Sequence, residues 1–90
     1  MHWLLEYHYG PNILERRVPH RPAHLELLQA AHERGELVIV GVVGDPVDRA
    51  VFVWAGEREP IEAFVAADPY QEAGLVERWE ILPYTVAVGA

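Results

Sequence analysis

Cysteine, lysine and serine are absent from the 90-residue chain, and threonine occurs once, at Thr85. Without cysteine there is no disulfide, no thiolate zinc site, no redox motif and no thiol nucleophile. Without lysine or serine there is no Schiff-base chemistry, no serine hydrolysis and no phosphate loop ending in Gly-Lys-Ser/Thr. All seven basic residues are arginine, set against 14 acidic ones, giving a net charge of −7 and a pI near 5.0. Such a chain is repelled by phosphate backbones and anionic lipid, so neither nucleic acid nor membrane is expected as a partner. No apolar run approaches the roughly 20 residues that span a bilayer. His2-Trp3-Leu4-Leu5-Glu6 carries no basic or apolar leader pattern. A cytoplasmic location is the expectation. His, Asp, Glu, Tyr and Arg are left to carry any chemistry.

Hydrophobic residues make up 51% of the chain and charged ones 23%, the balance of a globular protein. At this length one core is all that can be built, and residues 1–90 read as one domain. His2 to Tyr9 places Trp3, Leu5, Tyr7 and Tyr9 on one face at period two, a strand whose aromatics read as packing. Gly10-Pro11-Asn12 breaks it and opens an irregular, arginine-bearing loop through Arg21. Pro22 suits a helix's first turn and Gly35 its stop; between them His24, Leu27, Leu28 and Ala31 share a face. Glu36–Val43 and Ala50–Ala55 read as strands, joined by a turn through Gly44-Asp45-Pro46-Val47-Asp48. A second helix starts at Pro60, carries Ile61, Phe64 and Val65 inward, and ends at Asp68-Pro69. Glu77–Val88 is the last strand, bent or at an edge because Pro83 cannot donate.

The order β-α-β-β-α-β is the ferredoxin-like pattern, an α+β fold with a four-stranded antiparallel sheet and two helices on one face. The second and third strands are apolar on both faces, so the uncovered face needs another cover. A second copy of the same chain supplies one, and a homodimer with stacked sheets is expected.

In this topology the helices run antiparallel, so the start of the first lies beside the end of the second. The Arg17–Arg21 loop, His24, Asp68 and the Asp45–Asp48 turn are thereby gathered at one edge. A carboxylate beside His24 would fix one imidazole tautomer and leave the other nitrogen to take or give a proton. Asp68 is the expected partner, with Asp45 and Asp48 as alternatives. Arg17 and Arg21 suit an anionic group on a small ligand, and Tyr70 suits a developing oxyanion. Each also has a plainer reading. Asp68-Pro69-Tyr70-Gln71, closed by Gly74, is a helix-capping sequence; the arginines pair with surface acids at small gain; a histidine on an apolar face is commonly a satisfied core residue. His20 and His24 have helical metal-ligand spacing, yet Pro22 lies between them and no third ligand is evident. No metal and no cofactor is expected.

Leu14-Glu15-Arg16-Arg17, Arg21-Pro22-Ala23-His24-Leu25, Ala67-Asp68-Pro69-Tyr70 and Ala73-Gly74 together resemble the YciI-like (YCII-related) family. Gly35, Gly41 and Ile81-Leu82-Pro83-Tyr84 fit the same pattern, so the resemblance covers nearly the whole chain. It implies a dimeric α/β barrel and an active site holding a His and an Asp, by motif position His24 and Asp68. Relatives that dehydrochlorinate chlorinated hydroxyquinones imply a lyase-type acid–base enzyme acting by elimination or isomerisation on a small anionic or phenolic substrate. Two features depart from the family: Gly41-Val42 stands where Gly-Pro is frequent, and the hairpin Gly44–Arg49 is short and serine-free. A non-catalytic dimeric module binding a small molecule or a protein is the alternative.

Overall fold

The computed structural model describes residues 1–89. Its elements are strand β1 (His2–Tyr9), a short helix α1 (Ile13–Arg16), a 3-10 turn (Val18–His20) and helix α2 (Arg21–Glu33). They continue with β2 (Leu37–Gly44), β3 (Val47–Ala55), α3 (Glu59–Ala67), α4 (Pro69–Glu72) and β4 (Val76–Tyr84). Helix boundaries follow the residues that permit or forbid them. Pro22 and Pro60 occupy the first turns of α2 and α3, where a missing N–H costs nothing. Gly35 ends α2 with φ +77°, and the amides of Gly35 and Glu36 return to the carbonyls of His32 and Ala31. That pair of bonds satisfies the helix's last carbonyls. Asp68 takes an extended ψ of 120° ahead of Pro69, which separates α3 from α4.

The strands form one antiparallel sheet in the order β2-β3-β1-β4, the ferredoxin-like arrangement. Alternation decides its faces. Leu5, Tyr7 and Tyr9 of β1, Ala50, Phe52 and Trp54 of β3, and Ile81 of β4 point to the helices. They pack with Leu28 and Ala31 of α2 and Ile61, Phe64 and Val65 of α3 into a single core. The opposite face carries Leu4, Glu6, His8, Ile39, Arg49, Val51, Val53, Arg78 and Leu82, and no helix lies over it. No helix among the described residues is long and apolar enough to cross a membrane.

Three boundaries differ from the sequence expectation. The segment after Gly10 is not an irregular loop. Asn12, at φ 60°, accepts from the amides of Glu15 and Arg16, and buried Ile13 anchors the turn of helix that results. The β2–β3 turn is tighter than Gly44–Asp48, because Gly44 pairs with Val47 and leaves only Asp45-Pro46 between the strands. The last strand stops at Tyr84, not Val88, because its partner β1 ends at His2 opposite Tyr84. Past that point the chain has no ladder to join.

Candidate active site

The antiparallel helices bring the first turn of α2 against the Asp68 corner. His24 Nδ1 lies 2.8 Å from Asp68 Oδ1, with both side chains buried. The same carboxylate accepts the Tyr70 backbone N–H on Oδ1 at 3.0 Å and the Tyr7 hydroxyl on Oδ2 at 2.8 Å. Asp68 is 1% exposed, and three donors surround it. An ionised carboxylate only accepts, so His24 must donate through Nδ1–H. In the neutral ring Nε2 then carries the lone pair, and no described residue hydrogen-bonds to it.

Tyr70 lies flat on the imidazole, with ring centroids 3.7 Å apart and planes inclined by 7°. Two sides of the His24 ring are thereby fixed, one by the carboxylate and one by the phenol. The Tyr70 hydroxyl is buried without a hydrogen-bond partner. Beside it opens a cavity of about 240 Å³ whose walls include Tyr9, Arg17, Arg21, His24, Val40 and Tyr70. Burial raises the pKa of the Tyr70 phenol, and the Arg17 and Arg21 guanidiniums pull it partly back. Tyr70 therefore lines the cavity as a neutral phenol, and the arginines make that wall positive in an otherwise acidic protein. A larger apolar groove of about 570 Å³ between α2 and β2 has a histidine on its wall, but His32 Nδ1 is bound to the Leu37 carbonyl at 2.8 Å.

All five residues singled out for the site, His24, Asp68, Arg17, Arg21 and Tyr70, thus gather around one cavity or its supporting carboxylate. Asp45 and Asp48 do not reach His24. Asp45 is exposed in the hairpin turn, and Asp48 faces the Arg49 guanidinium at 3.5 Å. His20 borders a separate hollow with Pro69, Glu72 and Ala73. The capping reading of Asp68 is half realised. Its carboxylate does cap α4, through the Tyr70 N–H, while among the described residues the Gln71 side-chain oxygen accepts no bond from the Asp68 backbone N–H. One participant escaped the sequence reading: Tyr7, which its alternation marks as core and whose hydroxyl ends on Asp68. A buried phenol needs a hydrogen-bond partner, and that is the one signal that pointed to it.

The three buried phenols set a stability limit at high pH. Burial, then the nearby Asp68 charge, raises the Tyr7 pKa far above the ordinary value of 10.0. Burial and the Tyr70 phenol raise Tyr9 likewise, and Tyr70 is also raised. The folded protein therefore holds these protons after the unfolded chain has lost them. Stability from these groups is complete below about pH 10 and falls above it, by about 1.4 kcal/mol per pH unit for each proton retained. Urea midpoints measured from pH 8 to 11.5 should fall steeply above pH 10. A midpoint constant to pH 11.5 would contradict the burial of these hydroxyls.

Comparison with known proteins agrees with this architecture. The model of the YCII-related domain matches residues 1–85. The chain is 33% identical over 81 residues to Protein YciI of Escherichia coli O6:H1, covering 79% of this chain and 83% of that one. Protein YciI of Shigella flexneri matches with the same figures. Among solved structures, 5-chloro-2-hydroxyhydroquinone dehydrochlorinase from Burkholderia phenoliruptrix AC1100, in complex with 2,5-dihydroxybenzoquinone, superposes with a TM-score of 0.76. That match covers 94% of both chains at 20% identity. A NIPSNAP domain protein from Burkholderia xenovorans superposes at 0.56, with 16% identity over 99% of this chain and 98% of that one. The structural matches speak to the fold, and the domain match together with the YciI relatives establishes descent: the chain belongs to the YCII-related domain family.

Proposed function

We propose that the protein is a small acid–base enzyme in which His24 Nε2 takes a proton from a substrate held in the cavity. The observation that carries this reading is the buried His24–Asp68 bond beside an otherwise unpartnered Nε2. Asp68 holds the tautomer and stabilises the imidazolium once the proton has arrived. Arg17 and Arg21 attract an anionic oxygen, and the neutral Tyr70 hydroxyl donates to oxygen that gains charge during the reaction. In an elimination, the proton goes to Nε2, the C–H or O–H electron pair becomes the new double bond, and the leaving group departs with its own pair. In an isomerisation, the same imidazolium returns the proton elsewhere on the substrate. The cavity's size suits a single substituted ring, and the dehydrochlorinase of similar fold acts on a molecule of that kind.

5-Chloro-2-hydroxyhydroquinone is the first substrate to offer, with chloride release as the readout. His24→Gln should lower turnover by about 10²- to 10⁴-fold, the usual contribution of a positioned acid or base, with little change in the binding of 2,5-dihydroxybenzoquinone. Turnover undiminished in His24→Gln would refute the assignment. A second reading is favoured by one feature: capping α4 and bonding Tyr7 already account for a buried Asp68. In that reading the cavity binds its ligand unchanged, and wild-type protein would bind the quinone without releasing chloride from the chlorinated substrate.

The working unit in this reading is a homodimer with sheets stacked face to face, closing a dimeric barrel. The open sheet face presents Ile39, 64% exposed, with Leu4, Val51, Val53 and Leu82 around it. Glu6, His8, Arg49 and Arg78 lie on the same face, with Glu6 bonded to His8 at 2.7 Å and facing Arg49 at 3.8 Å. An apolar patch carrying both charge signs is self-complementary across a two-fold axis, which favours a second copy over an unlike partner. Light scattering at micromolar concentration should give twice the 10.2 kDa chain mass, and Val53→Arg should give monomer. A wild-type monomer would exclude the stacked-sheet dimer.

A further inference from the structure

We propose that Tyr7 is a positioning residue of the His24–Asp68 pair, aiming the carboxylate and moderating its pull on the Nδ1 proton. The proposal rests on the acid–base reading of that pair and extends it to a third side chain, on another element of the fold. Tyr7 is fully buried in the middle of β1. Its ring meets Phe52 edge-on at 4.8 Å and Tyr9 at 6.1 Å, and lies near-parallel to Phe64 at 6.4 Å. Phenylalanine would make those contacts equally well, as Phe52 does on the neighbouring strand. The hydroxyl is what packing leaves unexplained. Burying it is costly unless it is paired, and the partner it has is Asp68 Oδ2 at 2.8 Å.

The placement of that bond gives it two effects. Aspartate's terminal torsion is broad, so a carboxylate held at one oxygen can still swing. Here Oδ1 is held by His24 and the Tyr70 amide, and Oδ2 by Tyr7, so the plane is fixed from both ends. The second effect is electronic. A hydrogen bond at Oδ2 withdraws negative charge from the carboxylate and makes Oδ1 a weaker acceptor. When Nε2 takes a substrate proton, the Nδ1 proton must stay on the ring for His24 to return as a base through Nε2. A carboxylate already sharing its charge with Tyr7 is less able to capture that proton.

The test reads the ligand-free protein and needs no substrate. The His24 Nδ1 proton is located by long-range ¹H–¹⁵N correlation in wild type, Tyr7→Phe and Tyr9→Phe. The expected result is a downfield shift of that proton in Tyr7→Phe, where Asp68 keeps its full charge. Tyr9→Phe, which removes the hydroxyl of a neighbouring core tyrosine not bonded to Asp68, should leave it in place. If Tyr7→Phe does not fold, 3-fluorotyrosine incorporated at position 7 alone supplies the opposite change: a more acidic phenol binds Oδ2 more strongly and shifts the Nδ1 proton upfield. A proton resonance that stays fixed in the foldable variants, or moves equally in Tyr9→Phe, would reduce Tyr7 to a packing residue. Absence of turnover in the wild type would count against the acid–base reading and would leave this resonance test intact.

Discussion

A carboxylate sealed from water must be surrounded by donors, and much of this molecule's local architecture meets that requirement at Asp68. The side chain lies where three elements converge: β1 supplies the Tyr7 hydroxyl, α2 supplies His24, and α4 supplies the Tyr70 amide. Two of these donors are remote in sequence, Tyr7 by 61 residues and His24 by 44, and are brought there by the fold; the Tyr70 amide is the local cap of α4. Leaving such a group without a partner costs one to several kcal/mol, a large share of what a domain of this size has in reserve. The site and the packing of the domain are consequently the same structure seen from two sides. A change that breaks the dyad also disturbs the joint between helix layer and sheet.

That dual role gives the site its rigidity. His24 is held edgewise by Asp68 and across its face by Tyr70, so the ring presents one nitrogen to the cavity without needing a ligand to order it. Catalytic groups that are already ordered lose little entropy when substrate arrives. The cavity wall adds the complementary feature, two guanidiniums on a chain whose net charge is −7. Net negative charge disfavours a small anion in general, and the two guanidiniums favour it at this wall.

Much of the fold could be read before any coordinates, because its punctuation lies in residues with few conformational options. Pro22, Pro60, Gly35 and Asp68-Pro69 delimit the helices, and period-two alternation in His2–Tyr9 identifies the face that meets them. The meeting of His24 and Asp68 was also legible, because antiparallel helices in this topology bring one start beside one end. What stayed hidden depended on the partner and not on the segment itself. Val86 and Val88 look strand-forming, yet the ladder ends with β1 at His2. Tyr7 looks like any inward-facing aromatic until the position of Asp68 is known. The choice of Asp68 over Asp45 and Asp48 likewise needed distances, since all three sit toward the same edge of the sheet.

Acid–base chemistry at this site requires Asp68 and His24 to act as a coupled pair, with the proton on Nδ1 and the lone pair on Nε2. The most direct measurement compares the His24 side-chain ¹H and ¹⁵N resonances in wild type and Asp68→Asn. The expected result is an Nδ1-protonated ring in wild type, with its proton far downfield against a charged acceptor and moved upfield once asparagine removes the charge. A wild-type ring protonated on Nε2, or an Nδ1 proton indifferent to the substitution, would contradict it.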